Sequence, residues 1–124
     1  MVNFLGPDLI VLDTVATETD FVLRRWYGEP LGRAFLASLA QGRHGFDVLS
    51  PKLLSRASEL DSKYADLGLG LVDSSIMAYA ERHRLPICTF DYRDFRATES
   101  AHGPWNLLIG EDELRRTSGD PPLA

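Results

Sequence analysis

A continuous apolar run of strand length, Leu9-Ile10-Val11-Leu12, passes directly into a stretch with helical spacing, and this junction constrains the 124-residue chain most. An uninterrupted run of this kind fits a strand buried on both faces, as in a parallel sheet. Asp13 or Thr14 offers an N-cap, and residues 15–26 follow with Val15, Val22 and Trp26 apolar and Phe21 and Leu23 beside them. Gly28-Glu29-Pro30 closes that helix and opens a second, with Leu31, Ala34, Phe35, Leu36 and Leu39, ending near Gly42. Residues 46–49 read as a short strand. Ser50-Pro51 then pairs an N-cap with proline at the first helical position and starts a helix to about Leu67. Gly68 and Gly70 stop it, and residues 72–83 form another helix with Ile76, Met77 and Ala80 in phase. Beyond Pro86, residues 87–90 and 107–109 are the remaining strand candidates, and the tail 117–124 is expected to fray. Strands alternating with helices predict one α/β domain over 1–124, with a mainly parallel sheet and helices on both faces.

Composition narrows the function. Thirteen basic residues against eighteen acidic ones leave a net charge of −5, which argues against a protein that binds through a broad cationic coat. Eleven of the basic residues are arginines, whose planar fork suits phosphate. One cysteine, Cys88, cannot form an internal disulfide or a cysteine-based zinc cluster. No apolar stretch reaches membrane-spanning length and no leader pattern opens the chain, so a cytoplasmic protein is expected.

In parallel sheets, ligands collect beyond the carboxyl ends of the strands. Three acids fit that placement. Glu18 lies early in the helix after residues 9–12, Asp73 opens its helix just past Gly68-Leu69-Gly70, and Asp91 follows the strand ending Thr89-Phe90, with Asp94 three residues on. Singly, each has a plain structural use as a dipole partner or turn residue. Together at one edge they repel one another unless a hard cation sits between them.

The stretch from Lys63-Tyr64-Ala65-Asp66 through Leu71-Val72-Asp73-Ser74-Ser75, then Thr89-Phe90-Asp91-Tyr92-Arg93-Asp94-Phe95, resembles the PIN-domain ribonucleases. More narrowly it resembles the VapC-type toxins of bacterial toxin–antitoxin pairs. Eighteen residues separate Asp73 from Asp91, and residues 15–23 resemble the family's glutamate-bearing helix, placing Glu18 fifty-five residues before Asp73. The likeness covers about residues 8–109. It implies a three-layer α/β/α PIN-like domain and an Mg²⁺-dependent endoribonuclease, with Mn²⁺ an alternative ion. Glu18, Asp73 and Asp91 would be catalytic metal ligands and Asp94 an accessory acid. Arg93, Arg96, Thr89 and Ser75 would contact RNA. The resemblance implies a cognate protein antitoxin, and the apolar residues of 15–42, more than one helix face needs, predict self-association, most simply as a homodimer. Members open with a strand ending in an aspartate; Leu12-Asp13-Thr14 fits its letters, yet residues 41–50 then lack the expected glutamate. Aligning Glu18 instead implies that the family's first strand and helix precede the sequence given, with weak or no cleavage by this chain. The competing readings are an inactive remnant that keeps partner binding, and a phosphoacceptor receiver domain. The latter needs a lysine after its last strand, which neither Lys52 nor Lys63 supplies.

Overall fold

The computed structural model describes residues 9–89 and 93–107. In chain order these form β1 (Ile10–Leu12), α1 (Asp13–Trp26), α2 (Glu29–Ala40), β2 (Gly45–Asp47), α3 (Pro51–Lys63), a 3₁₀ turn (Ala65–Leu67), α4 (Gly70–His83), α5 (Arg93–Arg96), β3 (Glu99–Ser100) and β4 (Gly103–Pro104). β1 and β2 pair in parallel, with Ile10 opposite Gly45, Val11 opposite Phe46 and Leu12 opposite Asp47. Ile87 and Leu107 form a separate parallel bridge, and β3 and β4 make a small antiparallel hairpin.

The local signals act largely as expected. Ser50 Oγ accepts the Leu53 amide at 3.2 Å, and Pro51 follows as the first residue of α3. At the end of α1 the amides of Tyr27 and Gly28 both reach the Leu23 carbonyl, a closure that holds Gly28 at a φ of 105°. α2 packs on α1 at Gly32, where an added Cβ would collide with the aliphatic stem of Arg24. The Arg24 head joins Asp20 at 2.9 Å and also Glu29, stapling the two helices together.

Several expectations need correction. The N-cap of α1 is Leu12, without a side-chain cap, and Asp13 is the first helical residue. α3 stops at Lys63 because Tyr64 leaves the helical region, and the chain continues as the 3₁₀ turn. α4 starts at Gly70, whose amide donates to Asp61 Oδ1 at 3.0 Å. The strand expected over 87–90 contributes one bridge, at Ile87; Phe90 lies outside the described residues, as do residues 1–8 and the tail 108–124. α5 and the β3–β4 hairpin have no counterpart in the sequence reading.

The core sits between α3 and α4. Ala57, Leu60, Leu69, Met77, Ala78, Ala80, Ile87 and Phe95 are buried together, with Trp105 and Leu107 packed against them. β1 adds Val11 and Leu12, and α1 contributes Ala16. Among the described residues no helix is long and apolar enough to cross a membrane.

Candidate active site at the carboxyl edge of the sheet

β1 runs into α1 without a loop, so Asp13 stands at the carboxyl end of the strand. Its Oδ1 accepts the amides of Thr14 at 2.9 Å and Leu49 at 3.0 Å, which ties the start of α1 to the chain leaving β2. Next to it, Thr14 Oγ1 and Ser75 Oγ lie 2.8 Å apart, joining α1 to α4. One turn further along α4, the Tyr79 hydroxyl donates to Asp47 Oδ2 at 2.7 Å, at the carboxyl end of β2. Four helical residues advance about 6 Å, close to the ~4.8 Å between neighbouring strands. α4 therefore crosses the carboxyl ends of β1 and β2. Asp73, two residues before Ser75 in the first turn of α4, lies about 200° around the helix from it, on another face than the Thr14 contact.

Residues 2–100 match the family profile of the PIN domain. The chain belongs to the PIN domain family. No curated protein matches it. PIN domains are generally nucleases that use divalent metals, and the architecture here is their helix-rich three-layer α/β/α type with a parallel β1–β2 pair.

Within this PIN domain, the acids expected from the sequence are distributed as follows. Asp73 is half-buried in the first turn of α4. Glu18 is exposed on α1, four residues past Thr14 and so on the side of the helix that meets Ser75. Asp94 lies in α5 with 14% of its side chain exposed, 4.0 Å from the Arg93 guanidinium, and its carbonyl accepts Thr98 Oγ1 at 2.9 Å. Asp91 is outside the described residues. Among the described residues, no three of the histidine, cysteine, aspartate and glutamate side chains are close enough to share an ion. Glu18, Asp73 and Asp94 do offer carboxylate oxygens, the donors a hard Mg²⁺ or Mn²⁺ takes.

The phosphate-contact candidates divide. Arg93 and Arg96 are exposed, and Thr89 is half-buried. Ser75 is fully buried, and its hydroxyl, besides meeting Thr14, donates to the Val72 carbonyl at 2.8 Å. Here it serves the junction between α1 and α4.

Two charged constellations escaped the sequence reading. Tyr79, Asp47 and His83 form one, with the Tyr79 and His83 ring centroids 4.3 Å apart. The Tyr79 hydrogen bond, aided by the Val48 amide, holds the Asp47 carboxyl below its ordinary range. Partial burial, then that same bond, pushes the Tyr79 phenol up to about 12. The position of Asp47 at a strand end and the spacing of Tyr79 and His83 were visible signals. In the other constellation Arg56 and Glu81 pair at 2.7 Å across twenty-five residues of sequence, which no local pattern announces.

Proposed function

We propose that this PIN domain is an Mg²⁺-dependent endoribonuclease, the toxin of a type II toxin–antitoxin pair held in check by a protein antitoxin. The observation that carries the reading is the PIN family match over residues 2–100, in a chain whose Asp73, in the first turn of α4, is followed eighteen residues later by the acidic motif Asp91 to Asp94. Asp73, Asp91 and Glu18 would hold the ion, with Asp94 as accessory acid. The ion would supply a water of lowered pKa and neutralise charge on the leaving oxygen. Arg93 and Arg96 would grip phosphates on either side of the scissile bond, giving register along the strand without base selectivity.

A second reading keeps the partner surfaces and gives up cleavage. It is favoured by α1, α2 and the turn between them, which expose Phe21, Trp26, Tyr27 and Leu36 by more than half their surface. We infer self-association through residues 15–42 on the same ground. Calorimetric titration of Mn²⁺ into the chain and into Asp73→Asn, with RNA cleavage measured in parallel, separates the readings. Binding and cleavage lost together in the variant support the nuclease. Identical Mn²⁺ binding in both chains sinks the metal role, and a parent that associates but never cleaves leaves the second reading.

A further inference from the structure

Where α4 ends, the β3–β4 hairpin lies against it, and the two leave a pocket of about 170 Å³. Leu85, Pro104 and Trp105 give it apolar walls, and Arg84, His102 and Asn106 give it polar ones. Drug-sized ligands need roughly 300 Å³ or more, and one water takes about 30 Å³, so the space suits one base or one side chain. Two further polar groups on the wall are already engaged. Glu81 Oε1 accepts Arg56 Nε at 2.7 Å, and its Oε2 accepts Arg56 Nη2 at 3.0 Å and the Ala101 amide at 2.7 Å. Ser100 Oγ donates to the Gly103 carbonyl at 2.9 Å and accepts the His102 amide at 3.0 Å. Arg84 differs. It is exposed, and among the described residues no carboxylate pairs with it, whereas Arg24 and Arg56 each hold two. It caps α4 at a φ of 54°, the one positive value of a non-glycine among the described residues. Glycine ordinarily takes this left-handed position, because it does so without strain. Here the position carries a guanidinium on the pocket wall instead. Trp105 packs against the core and spends Nε1 on Thr98 Oγ1 at 2.9 Å, so what it offers a ligand is its ring.

We propose that this pocket binds one nucleotide of a single-stranded RNA, with the base against Trp105 and a phosphate on Arg84. Free donors beside an aromatic ring call for a flat ligand rich in acceptors. A base supplies the flat face for stacking, and its phosphate takes the guanidinium fork. The Asn106 amide offers both a donor and an acceptor to the base edge. An acidic peptide would answer Arg84 but leave the ring without a flat partner. Treating the bound strand as the one that is cleaved rests on the nuclease reading. Arg84 lies eleven residues past Asp73, about 16 Å along α4, a distance that several stacked nucleotides span. His102, Pro104, Trp105 and Asn106 lie beyond residue 100, where the family match ends.

The chain has two tryptophans, Trp26 and Trp105, so its ¹H–¹⁵N spectrum carries two indole signals, one of them a control on the far exposed face of α1. The four ribonucleoside 5′-monophosphates are titrated into the full chain, with inorganic phosphate and an acetylated tetraglutamate as parallel arms. The expected result is a saturable shift of the Trp105 indole and the Asn106 amide with Trp26 unmoved. Arg84→Gly should weaken nucleotide binding roughly ten- to a hundredfold, the size of one lost charge-assisted hydrogen bond. The φ of 54° suits glycine, so this variant keeps the fold. In RNA cleavage it should raise KM by a similar factor. A Trp105 signal that ignores every nucleotide would overturn the proposal, as would equal nucleotide affinity or equal KM in Arg84→Gly. Phosphate bound as tightly as the nucleotides would make this a bare anion site, and tetraglutamate bound more tightly would make it a peptide site; either outcome overturns it. The nuclease reading fails or stands separately. If Trp105 ignores nucleotides while Asp73→Asn abolishes Mn²⁺ uptake, that reading stands without the pocket. If Trp105 responds in a chain that takes up no Mn²⁺, the pocket stands without that reading.

Discussion

α3 and α4 bury Leu60, Met77 and Ser75 completely, whereas α1 and α2 bury only Ala16 and Gly32 and leave Trp26 70% exposed. Both are packed pairs of helices that follow one another in sequence, yet one is a finished core and the other an unfinished surface. The difference lies in what each face meets. α4 receives α3 on one side and Ile87, Phe95 and Trp105 on others. α1 meets α4 near its first turn, at the Thr14–Ser75 contact, and further along shows Phe21, Val22 and Trp26 to solvent. Of the acids proposed as ligands, Asp73 belongs to the finished region and Glu18 to the unfinished one. A scaffold that holds one acid rigidly and borrows another from a helix with free apolar surface is open to influence from whatever covers that surface.

Truncating the core should show the largest contrast. Met77→Ala is expected to cost about 2–5 kcal/mol, since it leaves a cavity between packed helices. Trp26→Ala, on an exposed position, should change monomer stability by no more than about 0.5 kcal/mol. Urea unfolding at low protein concentration checks both, and comparable losses would mean that α1 and α2 are as well supported as α3 and α4.

The next effect is on association. A tryptophan anchor at an interface typically contributes about 2 kcal/mol, roughly a thirtyfold change in dissociation constant. Sedimentation velocity over a range of concentrations should therefore show the parent associating and Trp26→Ala shifted to higher concentration. A monomer mass at every concentration would leave the exposed face of α1 and α2 without that role.

Which region supplies the third acid can be decided by charge alone. Asp13→Asn keeps Oδ1 as acceptor for Thr14 and Leu49, so it removes a charge with little change in the fold. Glu18→Gln does the same on an exposed helix position. If Glu18 is the ligand, Mn²⁺ affinity should drop about tenfold in Glu18→Gln and hold in Asp13→Asn, because ligand charge count sets much of the attraction for a hard cation. The opposite outcome would make Leu12-Asp13-Thr14 the opening motif and remove the need for a strand and helix ahead of it.

How much of this was legible follows the same division. The junction at Leu12, the Ser50-Pro51 start and the Gly68–Gly70 stop are local signals, and each element they mark is present within a few residues. Asp73 could be singled out from the glycine turn before it. The junction of α1 with α4 could not, because it depends on Thr14 meeting Ser75 across sixty-one residues. α5 and the hairpin were invisible for a related reason: Glu81, Tyr64 and Trp105 hold them, and none of these carries a short-range signature. The exposed face of α1 and α2 was anticipated from their excess of apolar residues, while Asp91 lies outside the described residues.

The smallest effect concerns the seam where α4 meets β2. The Tyr79 phenol is raised from 10.0 to about 12, first by partial burial and then by its bond to Asp47. Between those values the folded chain keeps a proton that the unfolded chain has lost, so stability should fall as pH rises through that window. Asp47 works in the opposite sense. Its carboxyl is lowered, chiefly by the Tyr79 hydrogen bond, so its contribution is present above the ordinary carboxylate range and fades as pH drops through the folded value. One substitution, Tyr79→Phe, removes the titrating phenol and the donor that depresses Asp47. The expected outcome is a flatter profile of unfolding free energy at both ends, with a loss near neutrality well below that of Met77→Ala. If the alkaline slope persists in Tyr79→Phe, it belongs to another group. The bond from α4 to Asp47 would then be incidental to how the core and the β1–β2 pair are joined.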